Sequence, residues 1–228
     1  MANSDFLRQN KNQHAVKNSL SKKMDSSIDR AVRMLTRRLQ RKYPNLKFEH
    51  TSKLMLGDII TEMGNRYPQY KDAVAAVMGT SFIKPDGGFL YATDSSGKRK
   101  LILVAEVKRQ GTNDKRASEG LKKQAKGNAI ERLGKNLIGI RALFKEDSVL
   151  PFICFGSGDD FSPGSSILDR VITMNDYFPL NKLFVKKNFL PFEPVSMFFR
   201  YKSWSELEMI RAMEQVAQTA IEHYFGIT

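Results

Sequence analysis

Apolar spacing along the chain switches repeatedly between helical and strand period, and that alternation predicts an α/β sandwich built on a central mixed sheet. Three observations carry the expectation. Ile28, Val32, Leu35 and Leu39 recur at intervals of four, three and four, which is one stripe of a helix. Residues 88–92, 101–107 and 151–155 are short apolar runs of strand length. Near the end, Leu207, Ile210, Met213, Ala217, Ile221 and Tyr224 fall on one face of a helix spanning residues 204–225.

Taken in order, residues 1–23 are polar and rich in Asn, Lys and Ser, so a flexible or partner-ordered arm is expected over 1–25, ahead of a single domain over 26–228. The first helix starts at Ser26 and stops at Tyr43-Pro44-Asn45, because the residue before proline is pushed out of the α region. Arg30, Arg33, Arg37, Arg38 and Arg41 surround its stripe and read as a solvated face. A second helix is expected over 53–66, with Asp58 and Glu62 one turn apart, and a short one over 72–78. The runs 88–92 and 101–107 form a hairpin through Asp94-Ser95-Ser96-Gly97, whose glycine supplies a positive φ. Residues 111–124 are a charged loop, and 128–144 a helix with Ile130, Leu133, Leu137, Ile140 and Leu143 along one side. A buried strand at 151–155, a loop at 156–164 and a short helix and strand within 166–175 follow. The Phe- and Pro-rich stretch 182–201 yields no order, and the last helix closes the chain.

Composition narrows the function. The chain has 228 residues, 41% of them hydrophobic, which suits one α/β domain with a real core. A single cysteine, Cys154, excludes an intrachain disulfide and a cysteine-rich zinc site, and its apolar setting marks a buried thiol. His14, His50 and His223 show no metal-ligand spacing. Nothing resembles a membrane span or a signal peptide, so a cytoplasmic protein without a membrane partner is expected. Net charge is +13, and it is uneven: residues 1–42 carry +8, residues 98–141 carry +9, and residues 201–228 carry −2. Positive charge gathered in two segments points to a polyanion, with nucleic acid favoured.

Two stretches carry chemistry. Asp86 sits in a Pro85-Asp86-Gly87-Gly88 turn, and the apolar run after the hairpin delivers Glu106 and Lys108. Alternation along a strand puts Glu106 and Lys108 on one face, with Ala105 and Val107 on the other. Two carboxylates converging there suit Mg²⁺, which takes one or two carboxylates and leaves its other positions to water and phosphate. A lysine beside them can hold a water aimed at phosphorus, the equipment of metal-assisted phosphodiester hydrolysis. A structural Glu106–Lys108 ion pair is the competing reading, and it predicts no metal dependence. Further on, Gly127 precedes a helix whose Asn128 and Arg132 are spaced i, i+4 at its N-terminus. That pair fits purine readout in the major groove. The plainer alternative makes Asn128 an N-cap with Glu131 as its capping-box partner.

The blocks SFIKPDGG (81–88), LVAEVKRQG (103–111) and GNAIER (127–132) together resemble the EcoRI family of type II restriction endonucleases, in that family's order and at similar spacing. Weaker similarity extends from Tyr43-Pro44-Asn45-Leu46 through Asp58 to Ile167-Leu168-Asp169-Arg170. The resemblance implies a restriction-endonuclease-like α/β/α sandwich with a five-stranded mixed sheet, and a homodimeric, Mg²⁺-dependent nuclease of the PD-(D/E)xK superfamily in which Mn²⁺ can substitute. Asp86, Glu106 and the Val107 carbonyl would bind the metal, Lys108 would orient or activate the attacking water, and Asp58 best matches an accessory acid. Gln124, Ala125, Lys126, Gly127, Asn128 and Ala129 would lie in the major groove, with Asn128 and Arg132 reading adenine and Gln110 near the inner thymines. Family members with these residues recognise AATT-core palindromes. At the outer base pair, Gln124 replaces a methionine and Ile167 the first of two arginines, of which Arg170 keeps the second. Double-stranded DNA is the expected substrate, cut to four-nucleotide 5′ overhangs with 5′-phosphate ends, and a cognate methyltransferase is the expected companion. The rivals are a shape-reading nuclease of the same superfamily, such as a junction resolvase or repair nuclease, and a non-catalytic DNA-binding module.

Overall fold

A computed structural model of the chain describes residues 11–70, 80–109, 119–120, 133–134, 137, 140, 149–158, 161 and 196–227. The first helix, α1 (Lys11–Lys42), buries Ile28, Val32, Leu35 and Leu39 as the stripe predicts, together with Ala31. It begins at Lys11, inside the segment expected as an arm. Residues 11–25 contain no glycine or proline, and a helix nucleated by the buried stripe extends cheaply into such sequence. The helix ends before Tyr43-Pro44, as expected, and the chain turns into β1 (Lys47–Thr51), a strand that the apolar pattern does not announce.

A two-residue strand, β2 (Leu54–Met55), precedes α2 (Leu56–Arg66) and pairs with β3 (Phe82–Ile83). The expected helix 53–66 therefore starts three residues late, because its first residues are held in that ladder. The hairpin follows as β4 (Phe89–Thr93) and β5 (Arg99–Arg109), with Asp94 Oδ1 accepting from the backbone amides of Ser96 and Lys98 across the turn at 2.9 and 3.0 Å. Next come β6 (Phe152–Ser157) and β7 (Ser196–Arg200). The latter is a correction, since 182–201 yielded no order from sequence and its end is a sheet strand. The last helix, α3 (Glu206–Phe225), opens on a Ser205–Glu208 capping box.

The sheet runs β1-β4-β5-β6-β7, antiparallel on the β1 side and parallel from β5 to β7, so the mixed five-stranded sheet flanked by helices is as expected. One face carries α1 and α3 over a core that includes Leu103, Ala105, Val107, Ile153, Phe155, Met213 and Ala217. The other face packs Val104, Phe152 and Cys154 against helical Leu133, Leu137 and Ile140. On α3 the buried set includes Met209, Val216 and Ala220, whereas Leu207, expected on the inner face, is 48% exposed in the first turn. The helices expected over 72–78 and within 166–175 lie outside the described residues, as does most of 128–144.

Strand β5 is the axis of the sheet, and its alternation is broken once. The register against β4 shifts between Leu90 and Tyr91, which pair with Leu103 and Leu101 and leave Ile102 opposite no residue. Ile102 and Leu103 consequently both join the α1/α3 core, and only beyond them does strict alternation resume. Ala105 and Val107 then face the helices, and Glu106 and Lys108 face the other way.

Candidate active site

The Pro85-Asp86-Gly87-Gly88 turn is hydrogen-bonded directly onto β5. Gly87 N–H donates to the Ala105 carbonyl at 2.9 Å, and Ala105 N–H returns a bond to the Gly88 carbonyl at 3.2 Å. Glycine is required at both positions. A Cβ on Gly87 would stand 2.7 Å from Ala105 Cβ and 2.9 Å from Ile28 Cγ1. Gly88 has φ +71°, and a Cβ there would meet the Thr51 carbonyl oxygen at 2.5 Å. His50 on β1 donates from Nε2 to the Gly87 carbonyl at 2.9 Å, since a carbonyl can only accept. Helix α1, strand β1 and strand β5 thus clamp the turn from three sides.

The clamp presses Asp86 against the end of β5. Its backbone N–H donates to Glu106 Oε2 at 3.3 Å, and its Oδ2 accepts from Val107 N–H at 3.4 Å and from Lys108 Nζ at 3.1 Å. Lys108 Nζ also donates to Glu106 Oε1, so the ammonium bridges both carboxylates. The side chains are unequally wet: Asp86 is 27% exposed, Lys108 15% and Glu106 1%. Burial is the main reason that the Glu106 carboxyl is pushed up to about 7; Lys108 pulls it down and Asp86 pushes it further up. For Lys108, burial works against the charge, but the Glu106 and Asp86 carboxylates outweigh it and raise the ammonium above its usual range. The two carboxylates thus favour the charged form of Lys108, which donates to both.

A hard divalent cation fits this donor set. Two carboxylates share one cationic bridge, one of them is starved of solvation, and the other keeps an edge toward water. Among the described residues no three His, Cys, Asp or Glu side chains converge on one point, so the arrangement suits a metal that takes two carboxylates from protein and the rest from solvent and substrate.

A family model described as restriction endonuclease EcoRI matches residues 10–166. The chain belongs to the EcoRI restriction endonuclease family. Among its relatives, the type II restriction enzyme RsrI of Cereibacter sphaeroides is 25% identical over 236 aligned residues, covering 88% of this chain and 84% of RsrI. The type II restriction enzyme EcoRI of Escherichia coli is 28% identical over 151 residues, covering 62% of this chain and about half (53%) of that enzyme. Membership makes the chain a type II restriction endonuclease, a site-specific deoxyribonuclease of a generally metal-dependent family.

Within this EcoRI-family frame the three residues singled out on the turn and on β5 are brought together. Asp58 lies exposed in the first turn of α2, and no contact among the described residues joins it to Asp86 or Glu106. Gln110, Gln124, Ala125, Lys126, Gly127, Asn128, Ala129, Arg132 and Arg170 lie outside the described residues. Two residues of the site escaped sequence reasoning. His50 fixes the turn, and a lone histidine in an unannounced edge strand gives no signal. Asp25 on α1 is raised, first by partial desolvation and then by the Asp86 carboxylate, while Lys108 and Lys84 draw it down. It stands one turn before Ile28, the residue against Gly87, and that i, i+3 spacing to the stripe was the available clue.

Proposed function

We propose that this chain cuts both strands of duplex DNA within an AATT-centred palindrome in a Mg²⁺-dependent reaction, leaving four-nucleotide 5′ overhangs with 5′-phosphate ends. The convergence of Asp86, Glu106 and Lys108 at the end of β5 carries the reading. Asp86 and Glu106, with the Val107 carbonyl beside them, would hold Mg²⁺, and Mn²⁺ would substitute. When bound, the metal supplies Lewis acidity at phosphorus and a water of lowered pKa. Lys108, held charged by its neighbours, donates to the attacking water and offsets charge developing on the phosphoryl oxygens. The buried position of Glu106 excludes solvent from one side, and the wet edge of Asp86 leaves an approach for the substrate.

Specificity is assigned to Gln110, to Gln124 through Ala129, to Arg132 and to Arg170, with Asn128 and Arg132 on adenine. Two copies of the single domain would bind as a homodimer, because a palindrome's two-fold axis asks for one reader and one cutter per strand. Asp58 would be an accessory acid, and the cell would pair the cytoplasmic enzyme with a cognate methyltransferase. Support comes from family membership and from the motif blocks around the site. Digesting random-sequence DNA with Mg²⁺ and sequencing the ends tests it. A shared AATT core with 5′ extensions is the expected result, and scattered ends or no cleavage with either metal would end the proposal.

A further inference from the structure

The carboxyl edge of the parallel half of the sheet holds a second feature besides the catalytic group. Arg109, Ser157 and Arg200 stand in register across β5, β6 and β7, one residue beyond the row that contains Lys108. Successive side chains of a strand point to opposite faces, so Arg109 leaves β5 on the α1/α3 side while Lys108 leaves it on the side of the reaction. A pocket of about 230 Å³ opens there, floored by Met24, Trp204 and Met209 and rimmed by Lys23, Ser27, Ser203 and Arg109. The floor is fixed. Trp204 Nε1 donates to the Gly156 carbonyl at 2.8 Å, and the Arg200 guanidinium stacks 3.6 Å above its ring.

The rim charges differ from those around them. Arg30 is neutralised by Glu206 and Arg200 by Glu208, whereas Lys23 and Arg109 make no ion pair with any described residue. Two exposed cations and the Ser203 hydroxyl over an apolar floor suit an anion with an apolar flank, while the Ser27 hydroxyl donates to Glu206 Oε1 at 3.1 Å. The volume falls below the roughly 300–1,000 Å³ of small-molecule sites. It suits a phosphodiester with its sugar rather than a whole cofactor.

We propose that this pocket holds a backbone phosphate near the scissile one on the same DNA strand, with Lys23 and Arg109 as its ligands. The proposal rests on the reading that duplex DNA is the substrate. A strand crossing the carboxyl edge of β5 meets Lys108 at the scissile phosphate and Arg109 on the far side of the same strand end. Such contacts position the duplex without reading sequence.

The test uses the full chain without divalent metal, binding short duplexes with and without a central AATT over a range of salt. Each phosphate contact contributes about 0.9 to the slope of log affinity against log salt on B-form DNA. Lys23→Ala and Arg109→Ala are each expected to lower that slope by about one, equally for both duplexes, with unchanged urea midpoints because both residues are exposed. Arg99→Ala, at the opposite end of β5, is expected to leave it unchanged. Replacing single phosphates near the cut with neutral methylphosphonates should weaken the unaltered chain at one position and leave the Lys23→Ala/Arg109→Ala variant indifferent there. An unchanged slope in both single variants, or an equal loss in Arg99→Ala, overturns the pocket while leaving the nuclease reading intact. Failure of the unaltered chain to bind either duplex overturns both.

Discussion

The two ends of β5 carry the same kind of ion pair and do different work. At the amino end Arg99 meets Glu49 at 3.1 Å, with the two side chains 42% and 58% exposed. At the carboxyl end Lys108 meets Glu106 and Asp86, and Glu106 is 1% exposed. An exposed pair is worth about 0–1 kcal/mol and costs little if lost. A buried carboxylate costs several kcal/mol of desolvation, which its partner repays only in part, so such a group is retained where it has a task. The difference between the ends is solvent, and solvent is what separates a surface decoration from a reactive site.

The largest expected effect breaks the carboxyl end. Glu106→Ala, Asp86→Ala or Lys108→Ala should each reduce Mg²⁺-dependent cleavage about a thousandfold or more, since each removes either a proposed metal ligand or the donor facing the developing charge. Circular dichroism and sedimentation should match those of the unaltered chain. If any of the three cuts DNA at near-normal rates in single-turnover assays, that residue leaves the catalytic set. Next in size is the clamp. Gly88→Ala places a Cβ 2.5 Å from the Thr51 carbonyl at φ +71°, a strained position worth about 1–3 kcal/mol. Urea unfolding should report that loss, and cleavage should fall with it because Asp86 is displaced from Glu106.

A smaller effect sharpens the contrast through pH. The Glu106 carboxyl stands at about 7 in the folded chain and about 4.5 when unfolded, so the folded state binds the extra proton between those values. Metal-free stability should therefore be full below about 4.5 and be lost as pH rises through about 7. Glu106→Gln should flatten that trend while abolishing cleavage, and urea midpoints of both proteins at pH 5 and pH 8 measure it. A Glu106→Gln curve that still falls with pH would show that another group carries the dependence.

What the sequence revealed follows the same division between local and distant causes. The α1 stripe, the hairpin and the Glu106/Lys108 face were legible because period and turn chemistry are local. Strand β1 was not: Lys-Phe-Glu-His-Thr buries nothing completely, and it is a strand only because residues 38 to 46 positions away pair with it. Strand β7 was hidden among phenylalanines and prolines for the same reason, its order coming from β6. Ile102 shows a subtler limit, since a bulge reverses which face a run of apolar residues takes, and any apolar run looks alike from either face. In the site, Asp86, Glu106 and Lys108 could be proposed because a charged pair interrupts an apolar strand. His50 could not, since it depends on where β1 docks, and Asp25 offered only its i, i+3 spacing to the α1 stripe.

The smallest expected effect tests the comparison at its weak end. Arg99 donates Nε and Nη2 to Glu49 Oε2, and its guanidinium lies 3.6 Å above the Tyr91 ring. If exposure is what makes this pair inexpensive, Arg99→Ala should cost no more than about 1 kcal/mol, through the lost cation–π contact as much as the lost ion pair. Glu49→Gln, which keeps the stack and removes the charge, should cost a few tenths, and raising salt should shrink it further. Neither should change the cleavage rate. A double-mutant cycle in urea that returns a Glu49–Arg99 coupling of several kcal/mol would mean that the sheet edge is drier than its exposure implies, and the distinction between the ends of β5 would then rest on metal binding rather than on solvent.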